Sequence, residues 1–180
     1  MAHKLGNVLI NDLPGSMKAV RGQYGIEDVD GNFIGIAYYD VEDEIEQTLI
    51  KELIPEQFRS QFRASFMVIN SKYIPPHKDN DITMVVNYYT RTSDATTTLW
   101  KQANTNTQSF GNSGSVYDEC DLIQTSSFKA DQNDVWALDV SQIHSVRSEG
   151  DLRTAYCLQS ETVSFEEFVN TDNCVALGSV

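Results

Sequence analysis

The chain has 180 residues, a length that predicts one domain with its own hydrophobic core. Acidic residues outnumber basic residues by 26 to 13, and the formal net charge is −13. This charge disfavours nucleic acid and anionic lipid as partners, because like charges repel. No apolar run approaches the roughly 20 residues that cross a bilayer, and the first residues lack a signal-peptide pattern, so we expect no membrane partner.

The cysteines favour a reducing compartment. They are Cys120, Cys157 and Cys174, odd in number and without a Cys-x-x-Cys pair. This spacing argues against a disulfide framework and against a structural zinc site. We therefore predict a cytoplasmic location.

The first third of the chain contains one clear amphipathic helix. Apolar residues recur at helical spacing between residues 40 and 54, and acidic residues cluster in the first turn. Pro55 follows and predicts the end of this helix. An apolar segment, residues 32–39, precedes the helix and predicts a strand.

From residue 62 onward the pattern changes to short strands and polar loops. β-branched and aromatic residues predict strands at 64–70, 82–90, 96–101, 115–118, 134–140 and 152–160. A polar stretch, residues 104–114, predicts a long loop that is either a lid over a site or a disordered segment. Residues 163–170 are compatible with a short terminal helix.

Together these elements predict a mostly β (α+β) fold. One helix followed by a series of short strands is typical of a double-stranded β-helix, or jelly roll, backed by one or two helices. Within a single domain of residues 1–180, we expect an N-terminal strand and supporting helix in 1–61. The jelly-roll core is expected in 62–160 and a C-terminal tail in 161–180.

The chain has three histidines, and two of them are candidates for chemistry. His3 lies in a terminus that we expect to be mobile. His77 and Asp79, by contrast, follow Pro75 and Pro76 in a segment that predicts extended chain. Residues i and i+2 of an extended chain point the same way, so an imidazole and a carboxylate converge. A His–Asp hydrogen bond in a surface turn is the alternative explanation.

His144 is the third candidate ligand. It follows the apolar segment 135–138, and it reaches the first pair if the two strand ends meet. Two imidazoles and one carboxylate on one face leave three positions of an octahedral iron(II) open, which is the facial triad of non-haem iron oxygenases. A polar residue at a strand end, without a ligand role, is the alternative.

Arg153 opens the last predicted strand. Arg153, Ala155 and Cys157 share one face of it, and the small neighbours leave room beside a guanidinium. A cation that points into a cavity needs an anion, and a dicarboxylate cosubstrate would supply one. A surface ion pair of Arg153 with Glu149 or Asp151 is the alternative.

The order His77-x-Asp79, then His144, then Arg153 nine residues later resembles the iron(II)- and 2-oxoglutarate-dependent dioxygenases, and in particular their prolyl-hydroxylase-like branch. The resemblance covers roughly residues 62–160. It implies that His77, Asp79 and His144 hold Fe(II) and that Arg153 binds the distal carboxylate of 2-oxoglutarate. It also implies that O2 is consumed as an organic substrate is oxidised. Because Asp79 is present, hydroxylation is favoured over halogenation.

The chain departs from this family at a threonine-containing motif. Residues 94–100 stand where related hydroxylases often carry Gly-Gly-Glu-Thr, and Thr98 matches the threonine best. Thr98 is therefore a candidate to bind 2-oxoglutarate, as is Tyr73, which lies in an extended segment before His77 similar to the Tyr-containing strand of the family; packing is the alternative for both. Other polar residues expected near the cavity, each with packing as the alternative, are Asn87, Tyr89 and Trp100.

A small-molecule or peptide substrate is expected. Gln159 stands where the nucleic-acid demethylase branch has a second arginine, which joins the negative charge in arguing against nucleic acid. The leading hypothesis is a 2-oxoglutarate-dependent hydroxylase. A metal-binding cupin that does not use 2-oxoglutarate and a non-catalytic jelly-roll binding module are the alternatives. Residues 102–114 and the segment before Phe33 are expected to contact the substrate.

Overall fold

A computed structural model describes residues 1–10, 13, 17–27, 30–31, 33–79, 81–103, 108–109, 115–150 and 152–171. The strands are β1 (Ala2–Asn7), β2 (Met17–Glu27), β3 (Phe33–Val41), β4 (Arg63–Asn70), β5 (Tyr73–Lys78), β6 (Met84–Arg91), β7 (Thr96–Gln102), β8 (Gln108–Ser109), β9 (Ser115–Val116), β10 (Leu122–Lys129), β11 (Asp134–Leu138), β12 (Ile143–Arg147) and β13 (Arg153–Ser160). The α-helices are α1 (Asp43–Leu53) and α2 (Phe165–Val169), and short 3-10 turns occupy Glu56–Gln61 and Glu119–Asp121.

The described strands form two antiparallel sheets. The larger sheet has seven strands in the order β1-β11-β6-β13-β4-β3-β2, and the smaller has six in the order β10-β7-β12-β5-β9-β8. Ile74 and Val146 of the smaller sheet pack against Met67, Val85 and Leu138 of the larger one, so the sheets face each other across a buried core. This confirms the prediction of a mostly β fold, here a β-sandwich with few helices.

A second core lies on the outer face of the larger sheet. Ile45 and Leu49 of α1 and Phe168 of α2 pack there against Val86 and Leu158. Strand β6 is therefore buried on both faces over most of its length, which explains why its sequence lacks an apolar–polar alternation. No helix among the described residues is both long and apolar enough to cross a membrane.

The predicted strands and helices appear close to their expected places, but the start of the chain differs from the prediction. His3 is not in a mobile terminus: β1 pairs with β11, and His3 lies opposite Ala137. Within the predicted C-terminal tail, the short helix expected at 163–170 is present as α2, and its Phe165 and Phe168 are buried. The loop predicted at 104–114 lies outside the described residues, apart from 108–109.

Strands β1, β2, β8, β10 and β12 have no counterpart among the predicted strands, and the predicted position of His144 was also wrong. Rather than ending the strand of residues 134–138, it lies inside a separate strand, β12. The turn between β11 and β12 is stabilised by a hydrogen bond from the Gln142 N–H to the Asp139 carbonyl, 3.3 Å long. This reversal sends β12 into the opposite sheet.

Candidate metal centre

His77, Asp79 and His144 converge on one point between the sheets. One ligand atom from each residue lies within 4.8 Å of those of the other two. The His77 Nε2 and Asp79 Oδ1 atoms are 3.6 Å apart, and the ring centroids of His77 and His144 are 4.3 Å apart. The convergence predicted from the sequence is therefore present.

An irregularity in β5 aims His77 inward. His144 pairs with His77, and Val146 pairs with Ile74. The chain therefore advances three residues along β5 but only two along β12 between these pairs, so β5 contains one extra residue. Such a bulge breaks the strict alternation of side chains, and Ile74 and His77 both reach the core side. Asp79 follows the end of β5, where its N–H donates to the Val140 carbonyl at 3.3 Å.

Backbone carbonyls orient both imidazoles. The Nδ1 atom of His77 lies 2.7 Å from the Pro75 carbonyl oxygen, and the Nδ1 atom of His144 lies 3.0 Å from the Gln142 carbonyl oxygen. A carbonyl can only accept, so each Nδ1 carries a proton, and the Nε2 atom of the neutral ring is the one with a free lone pair. This is the arrangement that second-sphere partners impose on metal-binding histidines.

The electrostatics of His77 favour its neutral form. Burial and, next, the nearby His144 lower the pKa of His77 to about 4, although Asp79 and the Pro75 carbonyl act in the opposite direction. A neutral imidazole is the form that coordinates a metal. At neutral pH, His77 is therefore ready to bind a cation without first losing a proton.

The donor set fits a divalent transition metal. Two imidazole nitrogens and one carboxylate oxygen suit iron(II), and three ligands on one side leave room for others on the opposite side. Among the described residues, no further histidine, cysteine or acidic side chain joins this group.

Arg153 lies deep in the same cavity. We call inner cavity the space lined by the three candidate ligands and by Tyr38, Asn87, Thr97 and Arg153, among others. Arg153 is 3% exposed, its guanidinium stacks 4.4 Å from the ring centre of Tyr89, and its Nη1 donates to Thr97 Oγ1 at 3.1 Å.

The buried guanidinium of Arg153 is not paired with any carboxylate of the described residues. Its Nε also has no hydrogen-bond partner among these residues. The alternative of an ion pair with Glu149 is therefore not realised, and Asp151 lies outside the described residues. A buried cation without a counter-ion is costly, so the inner cavity fits a carboxylate-bearing ligand.

Two predicted cosubstrate ligands lie outside this cavity. Tyr73 is on the outer side of β5, where its hydroxyl donates to Glu119 Oε1 at 2.9 Å. Thr98 also faces outward, because its neighbours Thr97 and Leu99 take the buried face of β7. Of the three consecutive threonines, Thr97 and not the predicted Thr98 lines the inner cavity, and the sequence alone does not reveal which of them faces inward.

The structure adds Thr97 and Tyr38 to the site. Tyr38 lines the inner cavity, and burial, followed by nearby Cys157 and Asp79, raises its pKa well above the ordinary value. Asn87 also lies in the cavity and donates to the Tyr89 hydroxyl at 3.2 Å.

Trp100 lies elsewhere. Its indole N–H donates to Ser145 Oγ at 2.8 Å, and it does not line the inner cavity. Trp100 and Thr98 alternate on β7 with the buried residues Thr97 and Leu99, so both face away from the core.

A second space opens from the triad toward the surface. We call outer cleft the space between β2, β3 and β5 that His77 and Asp79 share with Gln23, Tyr24, Tyr38, Ile74, Pro75 and Val116. The candidate ligands therefore lie between the inner cavity, into which the guanidinium of Arg153 points, and the outer cleft, which opens to solvent.

Comparison with known proteins identifies a fold class and not a family. No protein-family model matches the chain, and no curated protein matches its sequence. The solved structure of E. coli ycfD is similar with a TM-score of 0.55 and 12% identity, over 93% of this chain and 50% of that one. Vicilin from Corylus avellana (hazelnut) has a TM-score of 0.41 and 10% identity, over 71% of this chain and 29% of vicilin.

The chain thus spans half or less of the length of these two structures. At so low an identity, the similarity to ycfD supports the β-sandwich fold alone.

Proposed function

We propose that the chain is an Fe(II)- and 2-oxoglutarate-dependent dioxygenase that hydroxylates a small molecule or a peptide side chain. We also propose that its core is a double-stranded β-helix, or jelly roll. The observation that carries the functional proposal is the position of Arg153, a buried cation without a described carboxylate partner, in the cavity that His77, Asp79 and His144 line.

The strand order supports the jelly roll. Of its core strands, β4, β6, β11 and β13 belong to the larger sheet, and β5, β7, β10 and β12 belong to the smaller one. Successive strands therefore cross between the sheets, except from β7 to β10. Each group of four is contiguous in its sheet, which is the connectivity expected when a long antiparallel ribbon is wound into a barrel.

The proposed roles follow from the donors. His77, Asp79 and His144 would hold the metal through two Nε2 atoms and one carboxylate oxygen, with the Pro75 and Gln142 carbonyls fixing the imidazoles. When bound, Fe(II) and 2-oxoglutarate would supply the oxidising chemistry, in which O2 and 2-oxoglutarate give succinate, CO2 and one hydroxyl group on the substrate.

The inner cavity would bind and orient the cosubstrate. Arg153 would neutralise the distal carboxylate, and the Thr97 hydroxyl, which contacts the guanidinium at 3.1 Å, would hold the arginine in place or share the anion. The apolar walls near Ile69, Leu138 and Val146 would exclude water from the bound dicarboxylate and so strengthen its attraction to Arg153.

A metal-binding cupin that does not use 2-oxoglutarate is the second candidate function, because the same triad would serve it. The two are separated by incubating the protein with Fe(II), 2-oxoglutarate, ascorbate and O2 and measuring succinate by NMR. The dioxygenase predicts succinate that depends on Fe(II) and disappears in His144→Ala. Binding of Fe(II) without succinate formation, even at high enzyme concentration, contradicts the dioxygenase and favours the cupin.

A further inference from the structure

The outer cleft has a different electrostatic character from the inner cavity. Its described lining consists of uncharged residues, with the exception of the candidate metal ligands His77 and Asp79. Gln23 and the hydroxyls of Tyr24 and Tyr38 are its polar groups other than backbone. The inner cavity, by contrast, contains the guanidinium of Arg153.

The cleft continues along the surface as a shallow extension. This extension shares Gln23, Tyr24, Ile74 and Pro75 with the cleft and adds Tyr73, among others. It runs over Gly25 and Gly35, which pair with each other across β2 and β3. The lining of this extension therefore includes two aromatic rings, those of Tyr24 and Tyr73.

The approach of β2 and β3 requires glycine. A Cβ atom added to Gly25 would lie 2.0 Å from the Ile34 carbonyl oxygen, and one added to Gly35 would lie 2.0 Å from the Tyr24 carbonyl oxygen. Both glycines also have φ values, +157° and +150°, that L side chains rarely adopt. Because neither glycine has a side chain, the surface next to Tyr24 remains open.

The Tyr73 side chain lines the shallow extension and is held by contacts on its hydroxyl and one ring face, although 38% of the residue is exposed. Its hydroxyl is bound to Glu119, and the Arg147 guanidinium covers one ring face at 4.3 Å. Arg147 is itself paired with both oxygens of Glu119, at 2.8 and 2.9 Å. The charge of Arg147 is therefore already neutralised by Glu119. The face of the Tyr73 ring opposite Arg147 can contact a ligand.

We infer that the substrate presents an uncharged apolar group, aromatic or aliphatic, to the metal through the outer cleft. This inference rests on the proposed function and adds the substrate class. Apart from Asp79, which the metal would engage, the described lining offers a charged group no opposite charge in exchange for its lost water, whereas aromatic and proline rings attract an apolar group by burial of its surface. The site thus separates an anionic cosubstrate on Arg153 from a neutral substrate beside Tyr24.

The test uses three ring compounds of similar size and different charge: benzyl alcohol, benzoate and benzylamine, which is protonated at neutral pH. Their dissociation constants are measured by ligand-observed NMR on the metal-free Asp79→Asn protein with excess succinate present, so that neither the Asp79 carboxylate nor the Arg153 guanidinium attracts one of the ions. We expect benzyl alcohol to bind at least tenfold more tightly than either ion. Equal or tighter binding of benzoate or benzylamine, or no binding of benzyl alcohol, overturns the inference.

The site of binding is tested by two variants at equally exposed positions. Tyr24 and Ile123 are each 48% exposed, but only Tyr24 lines the cleft. Tyr24→Ala is expected to weaken benzyl alcohol binding at least threefold, whereas Ile123→Ala leaves it unchanged. Equal effects of the two substitutions overturn the placement.

A third measurement separates this inference from the proposed function. Mn(II) is added, and the paramagnetic relaxation of the benzyl alcohol protons is recorded. Enhanced relaxation in wild type and not in His144→Ala supports a neutral group next to the metal. If Mn(II) does not bind, the proposed function fails, while the charge preference of the metal-free cleft is still decided by the first experiment.

Discussion

His77 and His144 lie directly opposite each other in the register of β5 and β12, with ring centroids 4.3 Å apart. Cross-strand neighbours are held at a fixed spacing by the hydrogen bonds between their strands. The two imidazoles are therefore positioned by the smaller sheet itself, and only Asp79 depends on the segment that follows β5. This arrangement explains how a short chain keeps a preorganised ligand set.

The first prediction concerns metal affinity. His144→Ala removes one of three ligands and is expected to weaken Mn(II) or Fe(II) binding at least 100-fold, measured anaerobically by calorimetry. Metal at 100 times its dissociation constant should stabilise the wild type by about 2.7 kcal/mol and the variant hardly at all. His3→Ala is the matched control, because His3 lies in β1; an equal loss in both variants would rule out the triad.

The second prediction distinguishes two adjacent threonines. Thr97 is buried and accepts a hydrogen bond from Arg153, whereas Thr98 faces outward. Thr97→Val is expected to weaken 2-oxoglutarate binding to the Mn(II)-loaded protein by about tenfold, or about 1.4 kcal/mol. Thr98→Val keeps wild-type affinity. A larger effect of Thr98→Val than of Thr97→Val would restore the assignment made from the sequence.

The third prediction concerns pH and the edge strand β1. Burial alone would raise the pKa of Asp134, but hydrogen bonds from Asn7, Lys4, the Asp131 N–H and Trp136 outweigh it, and the net shift is downward. Between the lowered native pKa and the ordinary value, the unfolded chain binds more protons than the native protein. The stabilisation by Asp134 is therefore complete above the ordinary value and is lost as the pH falls toward the native pKa.

Asp134→Asn should accordingly destabilise the protein by about 2 kcal/mol near pH 7, since the amide cannot accept all of these bonds. The difference between wild type and variant should shrink as the pH falls below 4, which urea denaturation at several pH values measures. Glu161→Gln, at an exposed position, is the control. A difference that stays constant down to pH 2 would contradict the electrostatic role of Asp134.

The fourth prediction concerns the C-terminal helix. Phe168 is fully buried, and its ring centroid lies 5.8 Å from that of Phe58 and 5.7 Å from that of Phe62. Phe168→Ala should cost about 3–5 kcal/mol of unfolding free energy, as expected for loss of a buried aromatic ring. Glu167→Ala, on the exposed side of α2, should cost less than about 1 kcal/mol. A small effect of Phe168→Ala would mean that α2 does not support the larger sheet.

The sequence was sufficient to predict the candidate metal ligands because their chemistry is rare in this chain. Only three histidines are available, and Asp79 lies two residues from one of them. Arg153 could be predicted because small residues alternate with it along one strand. Local spacing indicated that His77 and Asp79 converge, but the approach of His144 depends on the pairing of β5 with β12, which spacing does not encode.

Other features depend on contacts that spacing does not encode. The bulge in β5 sets which residues face inward, and it turns Tyr73 outward beside the inward-facing Ile74. The run of threonines at the start of β7 has no apolar marker of its own, so Thr97 could not be separated from Thr98. Strand β10 is exposed along most of its length, which left no alternation from which to predict it.

The central claim is that one site holds Fe(II) on the triad and a dicarboxylate on Arg153. Its most direct test is an anaerobic titration of the Fe(II)-loaded protein with 2-oxoglutarate, followed by the weak visible charge-transfer band. We predict the band in wild type and in Arg147→Gln, and at least 100-fold weaker 2-oxoglutarate binding in Arg153→Gln with Fe(II) affinity unchanged. A wild-type protein that binds Fe(II) but develops no band, or an Arg153→Gln variant that saturates like wild type, would contradict the claim.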